Sequence, residues 1–447
     1  MNEDRLEPDR AEPWFLYAAR GLGDGSYHPL PLGDTCIGRD EGSDIHLALF
    51  DPAVSRLHAT IARYAGEETA WLQDRGSSNG VFVNGRRVDG VAIRPGDVVR
   101  LGDTMLVVGR GEPAAPEDEA QLGVLGRSPV VAELRAVVRK VAPSALPVLI
   151  VGATGTGKDV VARAVHDASG RRGRIVAVNC AALPGTLVES VLFGHKRGAF
   201  TGAVSDAEGA FVQASGGTLF LDEVGDLALE AQPKLLRALE NGEITPVGAT
   251  SPVRVDVRVV AATHVALDAE MDAGTFRRDL YGRLAGVVVR TPPLVERRAD
   301  VLPLFRSFLG QSGARELSAD FVESLLVHAW PFNVRELRKL AERLLVLHAD
   351  APRWERGMLH KEMRPLLDAP PRSDAPSVSG LPSAAPVAGA DDGRREGPPP
   401  ARAELLALLA QCDGNVSRVA ELVGRNRKQV YRWMEQHAIE RGTGRKR

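Results

Sequence analysis

The sequence predicts a multidomain chain: a β-sandwich, then an α/β P-loop domain with a helical tail, then an all-α helix-turn-helix. Three observations predict it. Short apolar runs (FLYAA, ATIARY, AWLQD, VFVNG, VVRLG, MLVVG) recur between Gly, Asp, Asn and Ser turns over residues 1–110, the rhythm of a sandwich. Apolar strand candidates (VLIVG, IVAVN, TLFLD, VRVVAAT) then alternate with helical stretches, as in a parallel sheet, until about Pro292, where only helical periodicity remains. Two stretches cannot build a core. Residues 111–121 (GEPAAPEDEAQ) are acidic and Pro/Ala-rich, and residues 366–400 hold 8 prolines and no aromatic residue. The expected division is therefore 1–110, linker 111–121, 122–365, linker 366–400 and 401–447.

Bulk composition narrows the class. A chain of 447 residues exceeds one core. Its 44% hydrophobic and 26% charged content is that of globular protein. No apolar run approaches the ~18 residues of a bilayer span, and the N-terminus is acidic, so no leader or membrane anchor is expected. Cys36, Cys180 and Cys412 stand singly, without metal-ligand spacing, which fits a reducing cytoplasm. Net charge is only -2 but unevenly spread. Residues 1–110 carry 12 Lys/Arg against 17 Asp/Glu, and residues 401–447 carry 10 against 5, so nucleic-acid contact is expected at the C-terminal end.

In the first segment the strings IGRD, SRLHA and DRGSSNGVFVNG place Arg39, Ser55, Arg56, His58, Asn79, Gly80 and Asn84 around the turns. From about Trp14 to Gly109 the chain resembles a forkhead-associated (FHA) domain, whose loops at one end of a sandwich grip phosphothreonine. The resemblance implies that Arg39 pairs with the phosphate, that Ser55 and Arg56 add donors, and that Asn79 holds the peptide backbone. His58 and Asn84 are expected to brace the loops. A sandwich that keeps this loop geometry without binding phosphate is the competing reading.

In the second segment VLIVG runs into Gly152, Ala153, Thr154, Gly155, Thr156, Gly157 and Lys158, and then into a helix. Glycines let backbone N–H groups wrap phosphates, the helix N-terminus favours their charge, and Lys158 reaches the β/γ oxygens. Asp159 stands where most P-loops place a hydroxyl for Mg²⁺. TLFLDE ends a buried strand in Asp222, placed to hold Mg²⁺, and Glu223, placed to polarise the attacking water. Alone, two acids after a strand are often a solvated turn; a P-loop upstream changes that reading.

The string FGHKRGAFTGA carries Gly198, Ala199, Phe200, Thr201, Gly202 and Ala203. With the preceding motifs it makes residues from Gly123 to about Leu367 resemble the AAA+ domain of sigma-54-dependent activators, the bacterial enhancer-binding proteins. The resemblance implies that this loop touches sigma-54 and moves against the polymerase as ATP turns over, with Phe200 and Thr201 at its tip. It further implies that Asn179 restrains the catalytic glutamate until the γ-phosphate is sensed. Arg277 and Arg283 (FRRDLYGRL) match the arginines that reach a neighbour's nucleotide in a homo-oligomeric ring, usually a hexamer, and Arg335 (WPFNVREL) matches the nucleotide-sensing lid arginine. Three positions depart from the family: His264 replaces the usual sensor Asn, Gly282 a frequent aromatic residue, and Phe332 the usual Gly. None removes a catalytic group.

In the third segment Ala420, Gly424, Val430 and Trp433 fit a helix-turn-helix: a close crossing, an open turn and two inward-packing residues. Its outward side offers Arg425, Asn426, Arg427, Lys428, Gln429 and Arg432, donors suited to phosphates and base edges. It resembles the Fis-type domain that ends many enhancer-binding proteins, with RNRKQVYRW in place of commoner wording.

Together these readings predict a cytoplasmic ATP- and Mg²⁺-dependent ATPase. It binds enhancer DNA, remodels sigma-54 RNA polymerase and reads a phosphothreonine protein or peptide. The alternatives are an AAA+ remodeller of another protein client and a non-catalytic phosphopeptide scaffold on DNA.

Overall fold

The computed structural model describes residues 12–21, 25–42, 44–112, 122–182, 185–310 and 315–359. Most of the first expected linker, all of the second, and the helix-turn-helix with Arg425, Asn426, Arg427, Lys428, Gln429 and Arg432 lie outside them.

The N-terminal strands are β1 (Trp14–Arg20), β2 (Tyr27–Leu30), β3 (Gly33–Gly38), β4 (Leu47–Ala48), β5 (Ala59–Arg63), β6 (Ala70–Asp74), β7 (Val81–Val83), β8 (Arg86–Val88), β9 (Gly90–Ile93), β10 (Val98–Leu101) and β11 (Thr104–Arg110). They form the expected sandwich, with sheets ordered β2-β1-β11-β10-β7-β8 and β4-β3-β5-β6-β9. Leu16, Ile37, Ile61, Leu72, Val99 and Leu106 interdigitate between the sheets. On β6 the pleat buries Ala70 and Leu72 and leaves Trp71 outside, as period-two alternation requires. Strand β1 departs from alternation, because every residue from Trp14 to Ala19 is buried. Trp14, Leu16 and Ala18 face the sandwich interior, while Phe15, Tyr17 and Ala19 enter a second core.

That second core belongs to a helical bundle built on Val301–Leu309, Ala319–Val327 and Asn333–Leu347. Phe15, Tyr17, Val98, Met105 and Val107 of the sandwich share one cluster with Phe305, Phe321 and Leu326 of the bundle. The sandwich thus packs directly on the bundle.

Between them in sequence lies the parallel sheet: β12 (Val148–Val151), β13 (Ile175–Asn179), β16 (Thr218–Asp222), β19 (Arg258–Thr263) and β20 (Val287–Arg290), ordered β13-β16-β19-β12-β20. Two short antiparallel pairs, β14 (Gly194–His195) with β15 (Ala207–Glu208) and β17 (Glu243–Ile244) with β18 (Val253–Arg254), stand apart. Helices cover both faces, so the central strands are apolar throughout. Val148 and Ile150 pack with Val161 and Val165 on one face, and Leu149 packs with Leu192 and Leu280 on the other. Strand β19 separates β12 from β16, so the ends of three adjacent strands deliver Gly152, His264 and Asp222–Glu223 to one edge.

An ion pair crosses the joint between sandwich and bundle. Arg100 Nε donates to Glu323 Oε1 at 3.2 Å, and its guanidinium lies 3.8 Å from the Phe82 ring centroid. The Glu323 side chain is 3% exposed, and burial pushes its carboxyl up against the opposing pull of Arg100. Arg100→Ala therefore leaves a desolvated carboxylate and costs about 3 kcal/mol. Hydrogen exchange of both β10–β11 and Ala319–Val327 should rise; a change confined to the sandwich would contradict the shared core.

Candidate functional site

Strand β12 ends at Val151, and the loop that follows is held by backbone and lid before it reaches the helix Lys158–Asp167. Gly155 and Gly157 have φ of +78° and +98°, which only glycine adopts at little cost. Three successive loop carbonyls are pinned from the helical bundle and the turn leading into it: Thr154 O by Asn333 Nδ2 at 3.0 Å, Gly155 O by Arg335 N at 3.3 Å, and Thr156 O by Arg297 Nη2 at 3.0 Å. Bundle and loop together enclose a cavity of about 260 Å³, lined among others by Leu125, Asp159, Thr291, Arg297, Phe308 and Arg335. Its apolar side suits a flat ring and its loop side suits phosphates.

Lys158 is 7% exposed, and its Nζ donates to Gly152 O at 3.0 Å while lying 3.6 Å from Glu223 Oε1. Glu223 has left-handed φ (+51°), which turns its side chain back over the strand ends. Its Oε2 accepts from His264 Nδ1 at 2.6 Å and from the His264 N–H at 3.1 Å. A carboxylate only accepts, so the His264 proton sits on Nδ1 in this pair. Burial alone would raise the Glu223 carboxyl, but the His264 bond and the Lys158 charge together hold it below the usual range. Asp222 goes the other way: burial and the Glu223 charge push it up, partly offset by Lys158, with Asp159 adding to the rise. Asp222 and Glu223, with Asp226, assist burial in pushing the Cys180 thiol up to about 12, which leaves it an inert packing group.

The structure brings Gly152–Asp159, Asp222, Glu223 and Arg335 into one locale and leaves other expected residues outside it. Asn179 ends β13, and its Oδ1 accepts from Ala182 N at 3.2 Å, so among the described residues the Glu223 carboxylate is held by His264 and Lys158. Arg277 pairs with Asp279 at 2.7 Å and Arg283 with Glu240 at 3.0 Å, both on the surface and away from the cavity lining. Gly198–Ala203 caps the β14–β15 hairpin, closed by Gly198 N to Ala203 O at 2.8 Å. Phe200 folds edge-on against His195, with centroids 4.9 Å apart, and Thr201 is exposed.

At one end of the sandwich the four expected loop residues converge. Arg39 N donates to Ser55 O at 3.0 Å, Ser55 Oγ accepts from Ser78 N at 3.1 Å, and Asn79 Nδ2 donates to Ala53 O at 2.7 Å. A Cβ on Gly38 would collide with the Arg56 carbonyl, so glycine is what lets the Arg39 and Arg56 loops meet. The Arg39 guanidinium is held by Asp40 at 3.0 Å, and Arg56 is exposed. His58 braces these loops as expected: Nδ1 accepts from Ser55 N and Nε2 meets Gly80 O at 3.1 Å. Asn84 does not. It lies beyond the far end of β7, against Asp97 and Arg298.

Comparison with known proteins names the domains of the chain. Residues 124–290 match the sigma-54 interaction domain, 295–373 the AAA+ ATPase lid domain and 35–102 the FHA domain. The DNA-binding transcriptional regulator NtrC of Rhizobium meliloti is 40% identical over 344 residues, covering 70% of each chain. The chain belongs to the NtrC-like family of sigma-54 activators. NtrC of Azospirillum brasilense is 49% identical over 241 residues, which are 53% of this chain and 50% of that protein. The chain thus spans about half the length of the first curated relatives it matches. The crystal structure of NtrX from Brucella abortus in complex with ADP superposes with a TM-score of 0.52 at 32% identity, covering 72% of this chain and 71% of NtrX. Within this family the present chain carries an N-terminal FHA domain. Among the described residues no helix is long and apolar enough to cross a membrane.

Sequence reasoning missed Asn333 and Arg297, whose bonds to the loop carbonyls join nucleotide cavity to lid. Gly155 is where that joint is tightest, since a Cβ there would collide with the Phe332 carbonyl. Gly155→Ala adds about 1–2 kcal/mol of left-handed backbone strain to that collision. Titration with ADP should show affinity reduced by about tenfold or more, the worth of about 1.4 kcal/mol; wild-type affinity would mean the lid is not seated on the loop.

Proposed function

We propose that the chain hydrolyses ATP in a homo-oligomeric ring, taken as a hexamer from family resemblance, and uses the turnover to remodel the sigma-54 RNA polymerase closed complex at promoters where it is bound to enhancer DNA. The observation that carries this reading is the convergence of Lys158, Asp222 and Glu223 on one sheet edge, in a core that also bears the Gly198–Ala203 hairpin.

The chemistry follows from the residues. The P-loop amides and Lys158 bind the β- and γ-phosphates of ATP. Glu223, kept ionised by His264 and Lys158, orients water and accepts its proton as the water oxygen bonds to the γ-phosphorus and the bond to ADP breaks. Asp222, at the end of β16 next to Glu223, offers the oxygen donors a hard cation takes and would hold Mg²⁺. When bound, Mg²⁺ neutralises charge on the β- and γ-oxygens. Arg277 and Arg283 are exposed and outside their own cavity, which supports reading them as the arginines that serve a neighbouring subunit's nucleotide. The hairpin tip, Phe200 and Thr201, contacts sigma-54. The C-terminal helix-turn-helix binds DNA through Arg425, Asn426, Arg427, Lys428, Gln429 and Arg432, and the protein works in the cytoplasm.

Arg39, Ser55, Arg56 and Asn79 are read as a phosphothreonine grip, and this reading has its own test. A phosphothreonine displaces Asp40 from Arg39 and gains a charge-assisted bond. Binding of a degenerate-flank phosphothreonine peptide pool should weaken about tenfold or more in Arg39→Ala, given about 1.5–3 kcal/mol for such a bond. Equal binding by both proteins would sink the grip.

The central experiment pairs phosphate release with transcription from a sigma-54 promoter. Glu223→Gln should lower hydrolysis about 10²- to 10⁴-fold, the usual worth of a general base. Thr201→Ala should keep hydrolysis and lose ATP-dependent open-complex formation. Active, DNA-bound wild-type protein that never opens the complex, with its phosphopartner supplied, would point to a different client for the same ATPase.

A further inference from the structure

The sandwich touches the nucleotide loop through two adjacent arginines. Asn84, in the turn between β7 and β8, has φ of +50°. Its amide donates to Asp97 Oδ1 at 2.8 Å, and its Oδ1 accepts from Val98 N at 3.0 Å and from Arg298 Nη1 at 3.4 Å. Burial lowers the Arg298 guanidinium, and Asp97 is the charge that opposes this. The preceding residue, Arg297, is 5% exposed and donates from Nη2 to Thr156 O at 3.0 Å. Its backbone (φ −130°, ψ 48°) breaks the helical turn Leu294–Asp300, and the two neighbouring side chains accordingly reach different partners, one on the sandwich and one on the P-loop.

Two consequences follow. In a trans peptide the C=O and the next N–H point in opposite directions. Pinning Thr156 O to Arg297 therefore turns the Gly157 N–H away from the arginine and leaves it available to a phosphate. At the other end, Asn79 and Gly80 precede β7 and Asn84 follows it, so the phosphopeptide loop and the Arg298 contact sit at the two ends of one three-residue strand. Such a strand spans about 10 Å. It is paired on both sides, to β8 and β10, and Gly80 O is tied to His58, so a displacement at Asn79 has little room to dissipate before Asn84.

We propose that Arg297 is a positioning residue for the P-loop and that the sandwich sets it through the Asn84–Arg298 contact, so that filling the phosphothreonine loops changes nucleotide affinity. The proposal rests on the nucleotide and phosphothreonine readings given above. It makes the N-terminal domain a direct modulator of the nucleotide cavity rather than a tethered address label. Coupling between sites of this kind is ordinarily worth about 5- to 150-fold in affinity.

The test uses the full chain and a fluorescent ADP analogue. Asn84→Gly removes the side chain while suiting the left-handed backbone, and Arg298→Met keeps the aliphatic stem without the bond. Each should weaken ADP binding about fivefold, at the low end of such coupling. Each should raise KM for ATP while kcat stays nearly constant, a split that general destabilisation does not produce. Both variants binding ADP as wild type does would overturn the proposal. In a second arm the phosphothreonine peptide pool is added at saturation. Wild type should shift its ADP affinity about fivefold or more, and Asn84→Gly should bind the pool without the shift. Peptide bound to wild type with no shift also overturns the link. If no peptide binds, the phosphothreonine reading fails and the occupancy half of the proposal with it, while the first arm still decides the Asn84–Arg298–Arg297 half. If wild type binds no ADP, the nucleotide reading fails and the proposal falls with it.

Discussion

The architecture depends on the lid's grip on three consecutive carbonyls of the nucleotide loop, at Thr154, Gly155 and Thr156. A P-loop binds phosphate with its N–H groups, so its carbonyls must find partners elsewhere or remain unpaired inside a cavity. Here the partners come from Asn333, Arg335 and Arg297, all in the lid half of the chain. Loop shape and lid position are therefore one variable. Asn333 carries this furthest: its backbone is left-handed at φ +51°, its Nδ2 serves Thr154, and its Oδ1 accepts from Leu294 N at 2.8 Å. A single amide thus fixes loop, lid helix and hinge together.

Because the lid also shares its core with the sandwich, that variable extends to the N-terminal domain. Strand β1 is apolar on both faces, and its two sets of side chains belong to different cores. The Arg100–Glu323 pair gives the joint a definite register, since a buried charge tolerates few alternative seatings. A domain that merely hung from a linker would bury neither the second face of β1 nor Glu323.

Much of this was legible in the sequence, for identifiable reasons. Gly152–Lys158, Asp222–Glu223 and Arg39/Ser55/Asn79 are local strings whose chemistry is set by backbone shape and spacing, and the structure brings the first two sets to one sheet edge and the third to one end of the sandwich. The parallel sheet announced itself through runs such as VLIVG and TLFLD, apolar because both faces are covered. What escaped depends on long-range packing. The run FLYAA reads locally as a strand alone, although unbroken apolar character in a sandwich strand means a second buried face. Arg297 and Arg298 lie in an unremarkable charged stretch, ERRAD, and nothing local separates a buried arginine from a solvated one. Asn84 was assigned to loop bracing because it closes the same string as Asn79, and three residues of extended strand carry it to the opposite end.

The catalytic edge shows how one substitution is absorbed. His264 stands where the family usually has Asn, and a histidine presents a longer, flatter donor from the same strand end. It reaches Glu223 with both ring and backbone, while Asn179 turns to its own Ala182. Glu223 already sits in a left-handed backbone conformation, so its side chain has few directions open to it. Two donors from one residue on a single carboxylate oxygen, with Lys158 near the other, leave the carboxylate ionised but occupied. On the proposed reading, phosphate draws Lys158 toward itself and leaves Oε1 of Glu223 to water, while His264 keeps its hold on Oε2. On that reading the lysine that meets the nucleotide also uncovers one oxygen of the base, and His264 fixes which oxygen stays held.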